Sequence, residues 1–251
     1  MGQDYSKQKE KEDKKRSDQY NKLTEQVISI TESDSFLIQK DQINNHSFQT
    51  KPISIISSSL HKLTYLISFY HYLLQNDSNN LKIYQSLVNL SKYNLNMRIN
   101  KKIDQMSAQI RYDSCWCLLS IVNSADSQTM VHLSELGYVN VLCLIIAAAG
   151  GSGEQNIHLM RDSLLQIENF TRTLNFARNT IYVQIDPLPE YIKKTEEEIE
   201  SEGSFEEIES QVFNTIITQY GDTAQRWGKR VKWIIFDVHC DDSNSNTDWD
   251  Y

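Results

Sequence analysis

Apolar residues recur at helical spacing along most of this chain. Between residues 55 and 76, Leu60, Leu63, Leu66, Ile67, Phe69, Tyr70, Leu73 and Leu74 fall at steps that build one broad apolar face, which predicts a helix. Asp77-Ser78-Asn79-Asn80 interrupts it, because short polar side chains bond to nearby backbone in turns. The pattern then predicts helices over 81–90, 93–103 and 106–122, the last centred on Trp116. Residues 124–127 read as a turn in which Asp126 or Ser127 caps the next helix, and Gly137 suits that helix's stop. An apolar helix over 138–149, a loop over 150–153 and a long helix over 157–180 follow. After Asp186-Pro187-Leu188-Pro189 come a Glu-rich helix over 192–202 and an amphipathic one over 205–220. Residues 231–238 fit a closing strand or a helix end. Near the N-terminus only Leu23, Val27 and Ile30 keep a helical period. Residues 1–20 read as a frayed helix or polar tail, and 31–54 as a linker.

Composition sharpens this picture. Only 8 Gly and 3 Pro in 251 residues leave few tight turns, which favours an all-α chain. The net charge of −8 argues against a general nucleic-acid binder. No run of 18 apolar residues predicts a spanning helix, and the charged start lacks the apolar core of a secretory signal. Four cysteines in a chain of this length are no disulfide framework, so a reduced, intracellular chain is expected.

The order short helix, glycine, second helix, longer third helix is informative. Its best instance is residues 113–146, with the Trp116 helix, the Ser-Ala-Asp-Ser-Gln-Thr turn at 124–129, the helix before Gly137 and the apolar run 141–146. This unit resembles the armadillo repeat of the importin-α family. Units of that kind stack because none can cover its own apolar face. The resemblance implies a right-handed armadillo/HEAT-type helical solenoid of about three to four repeats. Downstream, Leu165 takes the position of Trp116 and Asn169 that of the family's Asn. Upstream, Tyr72 and Asn76 take the same two positions. The implied organisation is a polar, basic arm and linker over 1–50, repeats over 51–185, a C-terminal helical cap over 186–238 and an acidic tail over 239–251.

In that family a Trp and an Asn four residues apart share one helix face and line a concave groove. The Trp offers its π face to a cargo lysine, and the Asn amide clamps the peptide backbone. Here Trp116 is followed by Ser120, Asn169 is preceded by Leu165, and Asn76 is preceded by Tyr72, so no repeat holds the intact pair. Asn140 also replaces the proline that follows the repeat glycine. The chain is shorter than the roughly ten repeats of an import adaptor. The resemblance therefore implies a protein-binding adaptor with a degenerate groove for nuclear-localisation signals. Trp116, Ser120, Tyr72, Asn76, Leu165 and Asn169 would line it, and its ligand would be an extended peptide or cargo protein.

The first residues, MGQDYSK, fit the N-myristoylation pattern, with Gly2 exposed as the new terminus once Met1 is removed. One acyl chain anchors only marginally. The six Lys and Arg among residues 7–16, against three acids, would supply a second attraction to anionic lipid. A membrane-tethered armadillo scaffold is thus the alternative to a cytoplasmic or nuclear adaptor, and an accessory subunit of a larger assembly is a third expectation.

Enzyme signatures are missing. Cys115-Trp116-Cys117 has no second pair for zinc, and the six histidines form no His-Glu-x-x-His. Neither Gly150-Gly151-Ser152-Gly153 nor Gly228-Lys229-Arg230 completes a phosphate loop, and the glutamates at 196–209 lack calcium-loop spacing. The expectation is no enzyme, no metal and no cofactor.

Overall fold

A computed structural model describes residues 2–32, 50–74, 80–95, 99–150, 157–179, 183–201, 203–212 and 224–236. Among them the chain is all-α apart from one two-residue strand pair. The helices are α1 (Gly2–Thr31), α2 (Thr50–Phe69), α3 (Asn80–Ser91), α4 (Lys101–Ser124) and α5 (Ser127–Glu135). They continue with α6 (Tyr138–Gly150), α7 (Ile157–Asn175), α8 (Pro189–Ser201), α9 (Ser204–Val212) and α10 (Ala224–Phe236). A 3-10 turn, His71–Leu74, follows α2. β1 (Arg178–Asn179) and β2 (Gln184–Ile185) pair antiparallel.

The helices pack as successive pairs in two layers. α1 lies on α2, α3 on α4, α6 on α7, and α9 on α10. Within one layer α1 meets α3, α3 meets α6, and α6 meets α9; within the other, α2 meets α4, α4 meets α7, and α7 meets α10. The core is the seam between the layers, filled by side chains such as Leu60, Ile67, Leu87, Leu118, Leu142 and Phe170. α8 docks on the ends of α5 and α6: Lys194 donates to the Ser134 carbonyl at 2.8 Å, and Glu198 accepts from the Asn140 N–H at 3.2 Å. The latter places a carboxylate at a helix N-terminus, where free N–H groups favour negative charge.

Local chemistry sets the helix ends. Asn100 caps α4 by accepting from the Ile103 N–H at 3.0 Å, and Asp126 caps α5 by accepting from Thr129 at 2.8 Å. Gly137 takes φ +73° between α5 and α6, in the left-handed region that side chains disfavour. Arg178 donates to the Val122 and Ala125 carbonyls at 2.8 and 2.7 Å, closing the C-terminal end of α4 with a cation.

Two open readings are settled and one expectation changes. Residues 2–31 form one continuous helix rather than a tail, and it buries Tyr20, Leu23, Val27 and Ile28 against α2 and α3. No helix spans 93–103: residues 92–95 are turn, Asn94 has φ 49°, and α4 starts only after its Asn100 cap. Residues 231–236 are helix rather than strand. The expected loop at 151–153, residues 213–220 and the acidic tail at 239–251 lie outside the described residues.

Candidate functional site

The layer formed by α2, α4, α7 and α10 carries the candidate site. α2 and α4 run in the same sense, joined by a ladder of small polar pairs: Ser57 to Asp113 at 2.9 Å, Thr64 with Cys117 at 2.8 Å, and Ser68 with Ser120 at 2.9 Å. Small side chains bring the helices close and leave larger ones on the outer face. Trp116 stands half-buried on that face of α4, with Tyr112 6.1 Å away between ring centroids. On α2 the outward residues are Tyr65 (57% exposed) and Phe69 (65%), whose ring centroids lie 4.8 Å apart. A groove of about 460 Å³ lies between the first halves of α2 and α4, lined by Ser54, Ser58, His61, Met106, Gln109 and Asp113 among others.

α7 repeats the layout of α4 at an offset of 49 residues. Residues 110–119 and 159–168 match in burial position by position. Both helices carry Asp-Ser, and each serine bonds back four residues: Ser114 to Ile110 at 2.7 Å and Ser163 to Leu159 at 2.8 Å. Trp116 and Leu165 hold equivalent half-buried places. Ser120 and Asn169 are likewise equivalent, but Ser120 is buried and its hydroxyl is engaged by Ser68 and by the Trp116 carbonyl at 3.0 Å. It therefore offers nothing to a peptide backbone.

Tyr72 does not join this row. It sits on the 3-10 turn beyond the end of α2 and donates to Asp13 of α1 at 3.1 Å. Asn76 lies outside the described residues. The exposed rings of α2 are instead Tyr65 and Phe69. They too are four residues apart, but they lack the asparagine of the family's Trp-Asn pattern. Also missed were Tyr112, Arg161, Arg172, Arg230 and the exposed Trp233 of α10. Gly2 is the first residue of α1.

The row's charge runs against that of the chain. α2, α4, α7 and α10 together hold eleven Lys and Arg and four Asp and Glu, in a protein of net charge −8. Three of those acids are buried and engaged. Asp113 accepts from Ser57 and from Gln109 at 2.8 Å, Asp162 accepts from Arg161 Nε at 2.8 Å, and Glu168 accepts from Arg172 at 2.9 Å and Arg230 at 2.7 Å. The fourth, Asp104, accepts the Ile99 N–H at 2.9 Å. The Trp116 indole nitrogen and Asp162 Oδ2 are buried without a bond of full geometry, yet the indole favours the ionised carboxylate. The layer thus carries rings on α2, α4 and α10 and spreads its Lys and Arg over all four helices.

Burial raises the pKa of Asp113, Asp162 and Glu198 above the ordinary carboxylate value, more than their donors lower it. A raised folded-state value means that the folded chain holds the proton more firmly than the unfolded chain. The stabilisation is therefore complete below the ordinary value of about 4 and is lost as pH rises through the folded value. Asp162→Asn removes one such group. The urea midpoint of this variant should fall less than that of wild type between about pH 4 and pH 6.5. Identical pH profiles would show that Asp162 does not contribute.

Among the described residues no group of three or more His, Cys, Asp or Glu is placed to hold a metal ion. No single helix among them is long and apolar enough to cross a membrane. Burial pushes the Cys117 thiol up to about 12, and Cys115 and Cys143 are buried as well. No family model matches the chain, and no curated protein or solved structure matches it either.

Proposed function

We propose that the chain is a non-enzymatic, armadillo-type protein-binding adaptor that takes an extended peptide across α2, α4, α7 and α10. The observation that carries this is the recurrence of helix pairs, each stacked on the next, with large side chains turned outward at matching places on α2 and α4. Helices packed about 8–10 Å apart match about three residues of extended chain, so each helix reads one stretch of a peptide laid across them. The row's surplus of Lys and Arg opposes a basic nuclear-localisation signal and favours peptides with acidic and aromatic residues.

The test is an array of 15-residue peptides of acidic, neutral and basic composition, probed with wild type and with Tyr65→Ala/Phe69→Ala. Acidic–aromatic peptides should bind best and basic ones worst. The double variant should lose about tenfold or more in affinity, as for truncated aromatic anchors. Its unfolding midpoint should barely move, because both rings are more than half exposed in the free protein. Equal binding by both proteins, or a preference for basic peptides, would overturn this reading.

α1 favours a second reading, the acylated scaffold. It begins at Gly2, and Lys9, Lys11, Lys14 and Lys15 are exposed along a half that precedes its first core residue, Tyr20. A lipid on Gly2 would stand at the far end of that half, beside cations suited to anionic headgroups. A C-terminally tagged protein should then stain membranes and turn diffuse on Gly2→Ala; the same diffuse staining in both would remove the reading.

A further inference from the structure

We infer that Ser17, on the first half of α1, is a phosphorylation site for a kinase that recognises basic residues, and that its phosphate weakens the attraction of this half for anionic lipid. The site stands on α1 itself; its effect on lipid rests on the acylated-scaffold reading.

Three observations lead to it. The first is charge pattern. Ser17 directly follows Lys14-Lys15-Arg16, three adjacent cations in a chain of net charge −8. Kinases select substrates by such patterns, here with an acidic cleft facing the cations. The second is the nucleophile. Ser17 is partly exposed, and its hydroxyl bonds to no other described residue. Thr195 makes the contrast. It also follows two lysines, Lys193 and Lys194, but it is buried and its hydroxyl donates to the Tyr191 carbonyl at 2.9 Å.

The third is local stability. A kinase cleft takes an extended chain, so α1 must open around Ser17. The first core residue of α1 is Tyr20, and the described ties before it lie at or near the surface: Arg16 to Glu12 and Asp13, and Tyr72 to Asp13. A segment held by few buried contacts opens at low cost.

In the transfer, Ser17 Oγ attacks the γ-phosphorus of ATP and the bond to the β–γ bridging oxygen breaks. ADP leaves, and the hydroxyl proton passes to the kinase's base. The new group carries about −1.5 to −2 charges at pH 7. Residues 7–16 hold six Lys and Arg against three acids, an excess of three, which the phosphate cuts to about one. Lys14, three residues before Ser17, shares its helix face and is drawn to the phosphate instead of to lipid.

The test incubates the full chain with ATP and cyclic-AMP-dependent protein kinase and maps the product by mass spectrometry. Phosphate should appear on Ser17, and Ser17→Ala should take none there. Lys14→Gln/Lys15→Gln should slow the reaction about tenfold or more, because the cleft loses its charge partners. No phosphate, phosphate only at other residues, or a rate unchanged without the two lysines would overturn the site. The second arm uses the chain myristoylated on Gly2 by a co-expressed N-myristoyltransferase. Its probe is vesicles of phosphatidylcholine with about one-third phosphatidylserine, which attract basic segments. The phosphorylated form should bind them about tenfold or more weakly than the unmodified form, and both should bind pure phosphatidylcholine equally. Equal binding of the two forms to the charged vesicles would overturn the effect on lipid and leave the acylated scaffold standing. Binding by neither form would remove the acylated-scaffold reading, and the lipid effect with it.

Discussion

Arg172→Met/Arg230→Met is expected to destabilise the protein by about 3–5 kcal/mol, the usual cost of leaving a buried carboxylate without its cations. Glu168 is fully buried, and one of its oxygens takes both guanidinium groups, one from its own helix α7 and one from α10. The two arginines are partly exposed and lose little when freed, so the penalty lies with the carboxylate. Either arginine alone leaves Glu168 one partner, and each single variant should cost well under half of the double. Adding Glu168→Leu to the double variant removes the orphaned charge and should restore most of the loss. Urea unfolding of wild type and the four variants checks this. A triple variant as unstable as the double would show that the arginines act through packing rather than through the carboxylate.

Phe170→Ala is expected to cost about 3–5 kcal/mol, the range for removing a large aromatic from a core. Phe170 is completely buried on α7 and meets Tyr138 of α6 edge to face, with centroids 5.1 Å apart. Tyr138 is itself buried, and its hydroxyl donates to Gln166 Oε1 at 2.7 Å. The cavity would therefore border a ring pinned by its own hydrogen bond, which cannot swing in to fill the space. Phe170→Leu keeps more of the volume and should cost less than half as much. Equal losses for Ala and Leu would mean that ring geometry, not volume, decides the site.

The α-helical period made most helices readable from the sequence, because nearly every one has a face turned to the seam between the layers. α1 escaped for a physical reason. Its first half has no apolar stripe; its described ties there are polar or aromatic, such as Arg16 to Glu12 at 3.2 Å, Arg16 to Asp13 at 3.1 Å and the Arg16 guanidinium 4.3 Å from the Tyr70 ring centroid. Residues 93–103 misled in the opposite way, since their apolar spacing is helical but Asn94 and Asn100 divert the backbone. The β1–β2 pair is too short to leave a pattern. Within the candidate site, the equivalence of Trp116 and Leu165 was legible because each stands two residues after an Asp-Ser pair in an apolar helix. The end of α2 was not legible, because apolar residues continue past Phe69 through Leu73 and Leu74. The pairing of Glu168 with Arg230 joins residues 62 positions apart and leaves no local trace.

The stacking order has a consequence for how the protein comes apart. The principal contacts of each helix pair run to the pair before and the pair after, so no contact of similar weight ties α1 to α10. Stability in such a stack is a sum of nearest-neighbour terms, and the outermost pairs, which have a neighbour on one side only, open first. Amide exchange should be slowest in α4 and α7 and quicken towards both α2 and α10. The two ends of the row would then be its most yielding parts, able to re-form around a peptide while α4 and α7 keep their shape.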